Sequence, residues 1–374
     1  MISEQWKSMH FMDCIEKVKV TSKIQKKKYL SEGKYPIISQ DNSTISGYWD
    51  NSEDLFVVEK SVVVFGDHTC VLKFIDFDFV VGADGVKILK TKDFLNAKFF
   101  FYQLLSFNLQ STGYARHFRK LKEHMISIPP LEEQQRIVSI LDEAFENISV
   151  KLSNAEENML QAENLFSNEL ETVFSQRHEN WNEMKLDEIG NIQTGTTPKT
   201  SERENYGDYI SFIKPAAFAK DGAIIHTDDR LSEIGYGKSR PVKPFSVLMV
   251  CIGATIGKCG YNVVEVTTNQ QINSLTPKNA KLYKFLYYQM LTRKFQHSVV
   301  TNAGQSTLPC LSKSKWSKLS LLVPTDGDEI QSIISRFDNL RNECEILRGK
   351  YAESKTSLVE LKQSILQEAF NGTL

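Results

Sequence analysis

Two stretches of this chain carry apolar or small residues in alternating steps of four and three. From Leu141 the series runs through Phe145, Ile148, Leu152, Ala155, Met159, Ala162, Phe166 and Val173, and only Glu169 breaks it. From Phe337 it runs through Leu340, Cys344, Leu347, Tyr351, Leu358, Leu361 and Ile365, with Ser354 the weak member. Neither stretch contains proline. Heptad spacing held for so long predicts two long helices meeting at a coiled-coil-like seam. A helix of about 40 residues would run about 60 Å. Two helices packed on separate globular cores would be the plainer reading, but core helices are usually far shorter. The remaining segments have a different rhythm. Val62–Phe65 and Val247–Val250 predict buried strands near glycine-containing turns. Phe94–Leu105 and Tyr283–Phe295 predict short helices whose aromatics pack into a core.

The chain also repeats itself. Trp6, Met9, Phe11 and Asp13 match Trp181, Met184, Leu186 and Glu188 at an offset of 175. Val86, Leu89, Tyr102, Gln103 and Leu105 match Ile272, Leu275, Tyr288, Gln289 and Leu291 at 186. Gly113 matches Gly304 at 191, Ile128-Pro129 match Val323-Pro324 at 195, and Leu170 and Phe174 match Leu366 and Phe370 at 196. The offset grows almost wholly outside the long helices. A frame has been duplicated while its loops diverged in length, as expected if the loops read different things and the helices do one job twice.

The net charge of −1 hides an uneven distribution. Residues 1–131 hold 18 basic and 15 acidic side chains, and residues 181–325 hold 18 and 11. Residues 132–180 hold 3 basic and 11 acidic, and residues 326–374 hold 6 and 9. Basic mixed segments thus alternate with acidic helical ones. The basic segments suit DNA and the acidic helices suit protein partners. Within the 374 residues no apolar run approaches the roughly 18 that a membrane helix needs. The first seven residues lack the apolar block of a signal peptide, and six scattered cysteines without C-x-x-C spacing fit a reducing cytosol. A cytoplasmic location is expected, with no structural metal.

Four motifs give the chain a family likeness. Ile128-Pro129-Pro130-Leu131-Glu132-Glu133-Gln134-Gln135-Arg136-Ile137-Val138 stands at the start of the first long helix. Lys362 to Leu374, ending in Asn371-Gly372-Thr373-Leu374, closes the second. Gly33-Lys34-Tyr35-Pro36-Ile37-Ile38-Ser39-Gln40 with Gly47-Tyr48, and Gly195-Thr196-Thr197-Pro198 with Tyr206-Gly207, open the two basic segments. In this order, on a duplicated frame, they resemble the specificity subunits of type I restriction-modification enzymes. One departure is the start of the second helix, Pro324-Thr325-Asp326-Gly327-Asp328. The resemblance implies an α+β, mixed fold. Two globular α/β target recognition domains, residues 1–130 and 181–325, would be joined and spaced by two long antiparallel helices, residues 131–180 and 326–374, with an internal pseudo-twofold repeat. It implies that the chain binds double-stranded DNA at a bipartite, asymmetric site and directs the complex there. It also implies two modification (methyltransferase) subunits as partners, with restriction (endonuclease/translocase) subunits in the larger assembly. S-adenosylmethionine, ATP and Mg would serve that assembly and not this chain, which would be catalytically silent. A stand-alone DNA-modifying enzyme with unrecognised motifs, or a coiled-coil protein-binding adaptor, would be the alternatives.

Candidate DNA contacts follow from residue chemistry. Lys26, Lys27 and Lys28 form a basic run that could track phosphates. The repeat places the segment with Tyr114, Arg116, Arg119 and Lys120 and the segment with Gly304, Gln305, Ser306 and Thr307 at matching positions, each just before a long helix. Arginine suits the guanine edge, glutamine the adenine edge, and glycine with small polar residues lets backbone N–H groups approach phosphates. Lys199, Lys238, Arg240 and Lys258 are further candidates. Gly253-Ala254-Thr255-Ile256-Gly257-Lys258-Cys259 lacks the spacing and hydroxyl of a nucleotide-phosphate loop and reads as a tight turn between strands. For partner contact, the seam residues are Leu141, Phe145, Ile148, Leu152, Leu340, Leu347, Leu358 and Leu361. Asp76/Asp78 and Asp228/Asp229 read as surface turns.

Overall fold

A computed structural model describes residues 6–20, 22–111, 115–176, 180–218, 222–224, 228–304, 308–372 and 374. The chain divides into two compact units, residues 1–156 with 352–374, and residues 157–351. The division cuts both long helices, Leu131–Ser175 and Gly327–Asn371, so each unit owns the beginning of one and the end of the other.

Each unit is built on the same three sheets. In the first, Lys7–His10 pairs with Met125–Ile128. A four-stranded antiparallel sheet orders Ile15–Glu16, Val86–Thr91, Val62–Gly66 and Leu72–Ile75. A mixed sheet sets Phe79–Ala83 parallel to Tyr35–Ile38. In the second unit Trp181–Lys185 pairs with Ser320–Pro324. Gly190–Thr194, Ile272–Pro277, Ser246–Val250 and Cys259–Asn262 repeat the antiparallel order. Val266–Thr268 lies parallel to Tyr206–Ile213, as its counterpart does. Both Val62–Gly66 and Ser246–Val250 are buried on both faces, which explains their unbroken apolar sequence.

The helices Ala97–Ser106 and Tyr283–Met290 pack on these sheets and carry the same polar latch. Lys98 Nζ lies 2.7 Å from an Asp142 carboxylate that also accepts from the Tyr102 hydroxyl. Lys284 Nζ and Tyr288 Oη bond Asp338 at 2.6 and 2.5 Å. Burial, and then the adjacent carboxylate, push both tyrosine hydroxyls well above their usual pKa. Each latch ties a sheet-packed helix to the long helix of its own unit. Replacing either aspartate with alanine is expected to cost about 1.5–3 kcal/mol, the worth of hydrogen bonds to a charged group, read as a lower midpoint of urea unfolding.

Aromatic cores close the fit. Phe370, near the end of the second long helix, packs 5.2 Å from Phe99, whose ring also meets Trp6. Phe174, near the end of the first, packs 5.4 Å from Phe285 and 6.1 Å from Trp181. The predicted helix Tyr283–Phe295 is in fact two, because Thr292 caps a second helix, Arg293–Ala303. The Pro-Pro motif has a concrete job: buried Gln134 accepts from Asn96 N at 2.7 Å and donates to Phe94 O and Pro129 O. Where the second helix departs from the motif, the equivalent position is apolar Ile330, also buried.

Within each unit the two long helices run antiparallel. Of the predicted seam, Leu141 and Ile148 are buried, and Phe145, Leu152, Leu340 and Leu358 are half-buried. Leu347 and Leu361 are corrected: they stand 37% and 48% exposed. Their places facing the first helix are taken, one residue later, by cations with long stems. In the second unit Arg341 stacks 4.6 Å from the Phe166 ring centroid, and Arg348 lies 3.6 Å from Glu163. In the first, Lys355 pairs with Glu156 at 2.5 Å and Lys362 lies 4.7 Å from the Phe145 ring.

Candidate nucleic-acid interface

In the first unit four loops converge at the turn of the Val62–Gly66/Leu72–Ile75 hairpin. Asp67, 4% exposed, accepts Phe118 N on its carboxylate at 2.8 Å and His117 N on its carbonyl at 2.7 Å. Its own N–H donates to Gly85 O at 2.7 Å, and Lys87 Nζ lies 3.8 Å away. The neighbouring His68 N donates to Gln40 Oε1, and His68 Nδ1 sits 3.2 Å from Ala115 O. Beneath the Ser39–Ser46 loop, Lys73 Nζ donates to Ser39 O at 2.8 Å and Ser43 O at 2.6 Å. Burial lowers the Lys73 pKa, with Asp41 opposing. The structure therefore gathers the Lys26–Lys28 turn, which reaches Asp41 through Lys26 at 3.4 Å, and the segment holding Arg116 around one rim. Lys26–Lys28 is a single 3-10 turn and not an irregular loop.

The second unit builds its rim from the same places in the fold with different residues. Residues 251–258 turn between two antiparallel strands, closed by Gly257 N→Val250 O at 2.9 Å and Val250 N→Lys258 O at 2.8 Å. Gly253 and Gly257 adopt φ of +103° and +88°, which a side chain would strain. Leu311 N donates to Cys251 O and Gly253 N to Pro309 O, stapling the segment after Gly304 to the turn. Gln271 Nε2 donates to Ile252 O at 3.3 Å. Gly195 N donates to Ile272 O, and a Cβ there would lie 2.2 Å from Asn269 O, so the backbones meet only because residue 195 is glycine.

The sequence-predicted residues fall into distinct groups. Arg116, Arg119 and Lys120 are exposed in the first unit. Lys258 is exposed on a turn anchored by Gln296 Nε2→Gly257 O at 3.0 Å. Lys199 and Lys238 share Glu202 at 3.4 and 2.8 Å, and Lys238 also donates to Asn205. Bonds from Lys238, Asn205 and Lys199 hold the Glu202 carboxyl below its usual pKa. Both ammonium groups already have a carboxylate partner at the surface, which weakens them as phosphate ligands. Arg240 donates to Thr194 O at 3.2 Å. Gly304 ends the Arg293–Ala303 helix at φ +79°. Tyr114, Gln305, Ser306 and Thr307 lie outside the described residues. Sequence reasoning passed over Lys313 and Lys315, exposed on the short helix Lys313–Trp316. The signal was present, because the offset of 195 at Ile128/Val323 lays Lys315 over Lys120. Among the described residues no three His, Cys, Asp or Glu side chains gather as a metal site, and no helix is long and apolar enough to cross a membrane.

A family model described as "Type I restriction modification DNA specificity domain" matches residues 3–162 and 178–354. The chain belongs to this family. Its two matched segments each cover one copy of the duplicated frame, and they include both candidate rims. Among relatives, the HindI specificity subunit of Haemophilus influenzae is 30% identical over 206 residues, 52% of this chain and 42% of that protein. The MjaIX specificity subunit of Methanocaldococcus jannaschii is 27% identical over 175 residues, 46% of this chain and 40% of that protein. These alignments span about four tenths of each relative. A specificity subunit from Escherichia coli aligns over 86% of both chains at 22% identity. Two solved structures share the fold. One, from work on complex assembly and conformational transition of a type I restriction-modification system, has a TM-score of 0.75 over 100% of both chains at 18% identity. The HsdS subunit of Thermoanaerobacter tengcongensis gives 0.57 over 100% of this chain and 98% of its own, also at 18%.

Proposed function

We propose that this chain is the non-catalytic DNA-recognition subunit of a type I restriction-modification assembly, each unit reading one half of a bipartite, asymmetric site. The observation that carries this reading is a constant frame bearing two unlike rims. Sheet order, aromatic anchors and the Lys/Tyr–Asp latch recur in both units. The rim residues do not: Asp67, His68 and Gln40 build one rim, and Gly195, Gly253 and Gln271 the other. Sequence is read by side chains at base edges, so two unlike rims imply two unlike half-sites.

The long helices would dock modification subunits. Leu347 and Leu361, displaced from the seam, are exposed on the second helix, one in each unit. Leu160 and Leu165 are exposed on the first. Apolar residues left in water on acidic helices suit a protein partner and repel DNA. Methylation and ATP-driven cleavage, with their S-adenosylmethionine, ATP and Mg, would belong to the partner chains, in the cytoplasm where the DNA lies.

The test is modification-sensitive sequencing of host DNA with and without the gene for this chain. A methylated motif of two short base sets around an indifferent spacer should disappear with the chain. Loss of a single continuous motif, or no loss, would contradict the reading.

A further inference from the structure

The two copies of the frame preserve one surface feature through otherwise diverged loops. Between Leu105/Leu291 and Ile128/Val323 the repeat offset grows from 186 to 195, so the copies differ in length here. Inside that region each copy nevertheless has a short helix, Phe118–Lys122 and Lys313–Trp316. Each precedes the strand that leads into a long helix. Each is pinned by one wholly buried apolar side chain, Leu121 or Trp316. Each follows the segment stapled to the hairpin turn, through Asp67 in one unit and through Cys251 and Gly253 in the other.

Besides that apolar anchor, the shared property is positive charge. The first helix carries Arg119, Lys120 and Lys122, and the second carries Lys313 and Lys315, with Lys318 beyond it. All six are exposed. Little of this charge is neutralised. Arg119 has an exposed pair with Glu123 at 3.7 Å, and Lys318 is taken by Asp187 at 2.7 Å. Lys120, Lys122 and Lys313 make no ion pair among the described residues. Lys122 leans over the Phe118 ring at 4.9 Å. Lys315 donates only to Asn302 O, a neutral carbonyl, at 3.2 Å. Unpaired ammonium groups on a pinned helix beside a rim are arranged for a ligand of dense negative charge.

We infer that these two short helices are a duplicated grip on the DNA phosphate backbone, through Lys120 and Lys122 in one unit and Lys313 and Lys315 in the other. They hold the duplex without reading it. This rests on the reading of the chain as a DNA-binding subunit. Lysine is a flexible point charge that suits phosphate and lacks the planar fork for a base edge. The segment leading into each short helix is held to a hairpin turn, which keeps the grip in register with the rim.

The test is binding of the full chain, with its co-purified partner, to duplexes with and without the methylated motif across a salt series. The variants are Lys120→Gln/Lys122→Gln, Lys313→Gln/Lys315→Gln and all four together, with Lys→Arg replacements alongside. Removing one phosphate-binding ammonium should flatten the slope of log affinity against log salt by about 0.9, so about 1.8 per pair. Both duplexes should weaken alike, the methylated bases should not change, and the Lys→Arg forms should keep the wild-type slope. All positions are exposed, and matched thermal melting will show that the fold is intact. An unchanged slope, or a changed base preference, would overturn the grip. A wild-type chain without motif preference, whose variants still flatten the slope, would sink the specificity reading and leave the grip standing.

Discussion

Phe337→Ala should destabilise the protein by about 3–5 kcal/mol, whereas Leu347→Asp, ten residues along the same helix, should leave stability within about 0.5 kcal/mol. Phe337 is fully buried, and its ring centroid lies 5.0 Å from Tyr288, 5.6 Å from Phe174 and 6.2 Å from Phe166. Truncation would leave a cavity where both long helices and a sheet-packed helix meet in the second unit. Domain stabilities of about 5–15 kcal/mol make that loss a large fraction of the whole. Leu347 is exposed, so an aspartate there remains solvated. Its expected effect lies elsewhere, in reduced co-purification of the modification subunit. Urea unfolding of both variants, with a pull-down of the partner, separates the two roles. Equal destabilisation by both would mean that Leu347 lies in the seam after all.

The contrast marks the limit of what the sequence reveals. The duplicated frame was legible because buried aromatics and strands tolerate little change in volume, so Trp6/Trp181 and Phe174/Phe370 still match. The two long helices were legible because heptad spacing is a local property. The face of the second helix was misread at Leu347 and Leu361. Periodicity counts apolar residues, while this seam fills alternate positions with Arg341, Arg348, Lys355 and Lys362, whose stems pack and whose charges meet Phe166, Glu163, Glu156 and Phe145. No apolarity rule registers such a cation. The latch was half visible: Tyr102 and Tyr288 matched in the repeat, but Asp142 and Asp338 are acceptors on another element, and pairing across elements has no sequence signature. The rims were least legible. Lys199 and Lys238 read as free cations until Glu202 is seen between them.

The second large effect concerns specificity. Exchanging residues 181–323 for the corresponding block of a relative should replace one half-site completely and leave the other intact. The block is bounded by partners: Trp181–Lys185 pairs with Ser320–Pro324, so its two ends emerge side by side. A foreign block can close on itself in the same way. It must keep an aromatic surface for Phe174, which packs on Trp181 and Phe285. The first rim draws its contacts from Gln40, Asp67, Gly85 and Ala115, all outside the block. Sites without shared partners act nearly additively.

Methylation mapping of DNA from cells carrying that exchanged chain tests the account most directly. The account predicts a hybrid motif, with the half-site assigned to residues 6–128 unchanged and the other half-site that of the donor. A motif altered in both halves would contradict it, because the two units would then not read independently.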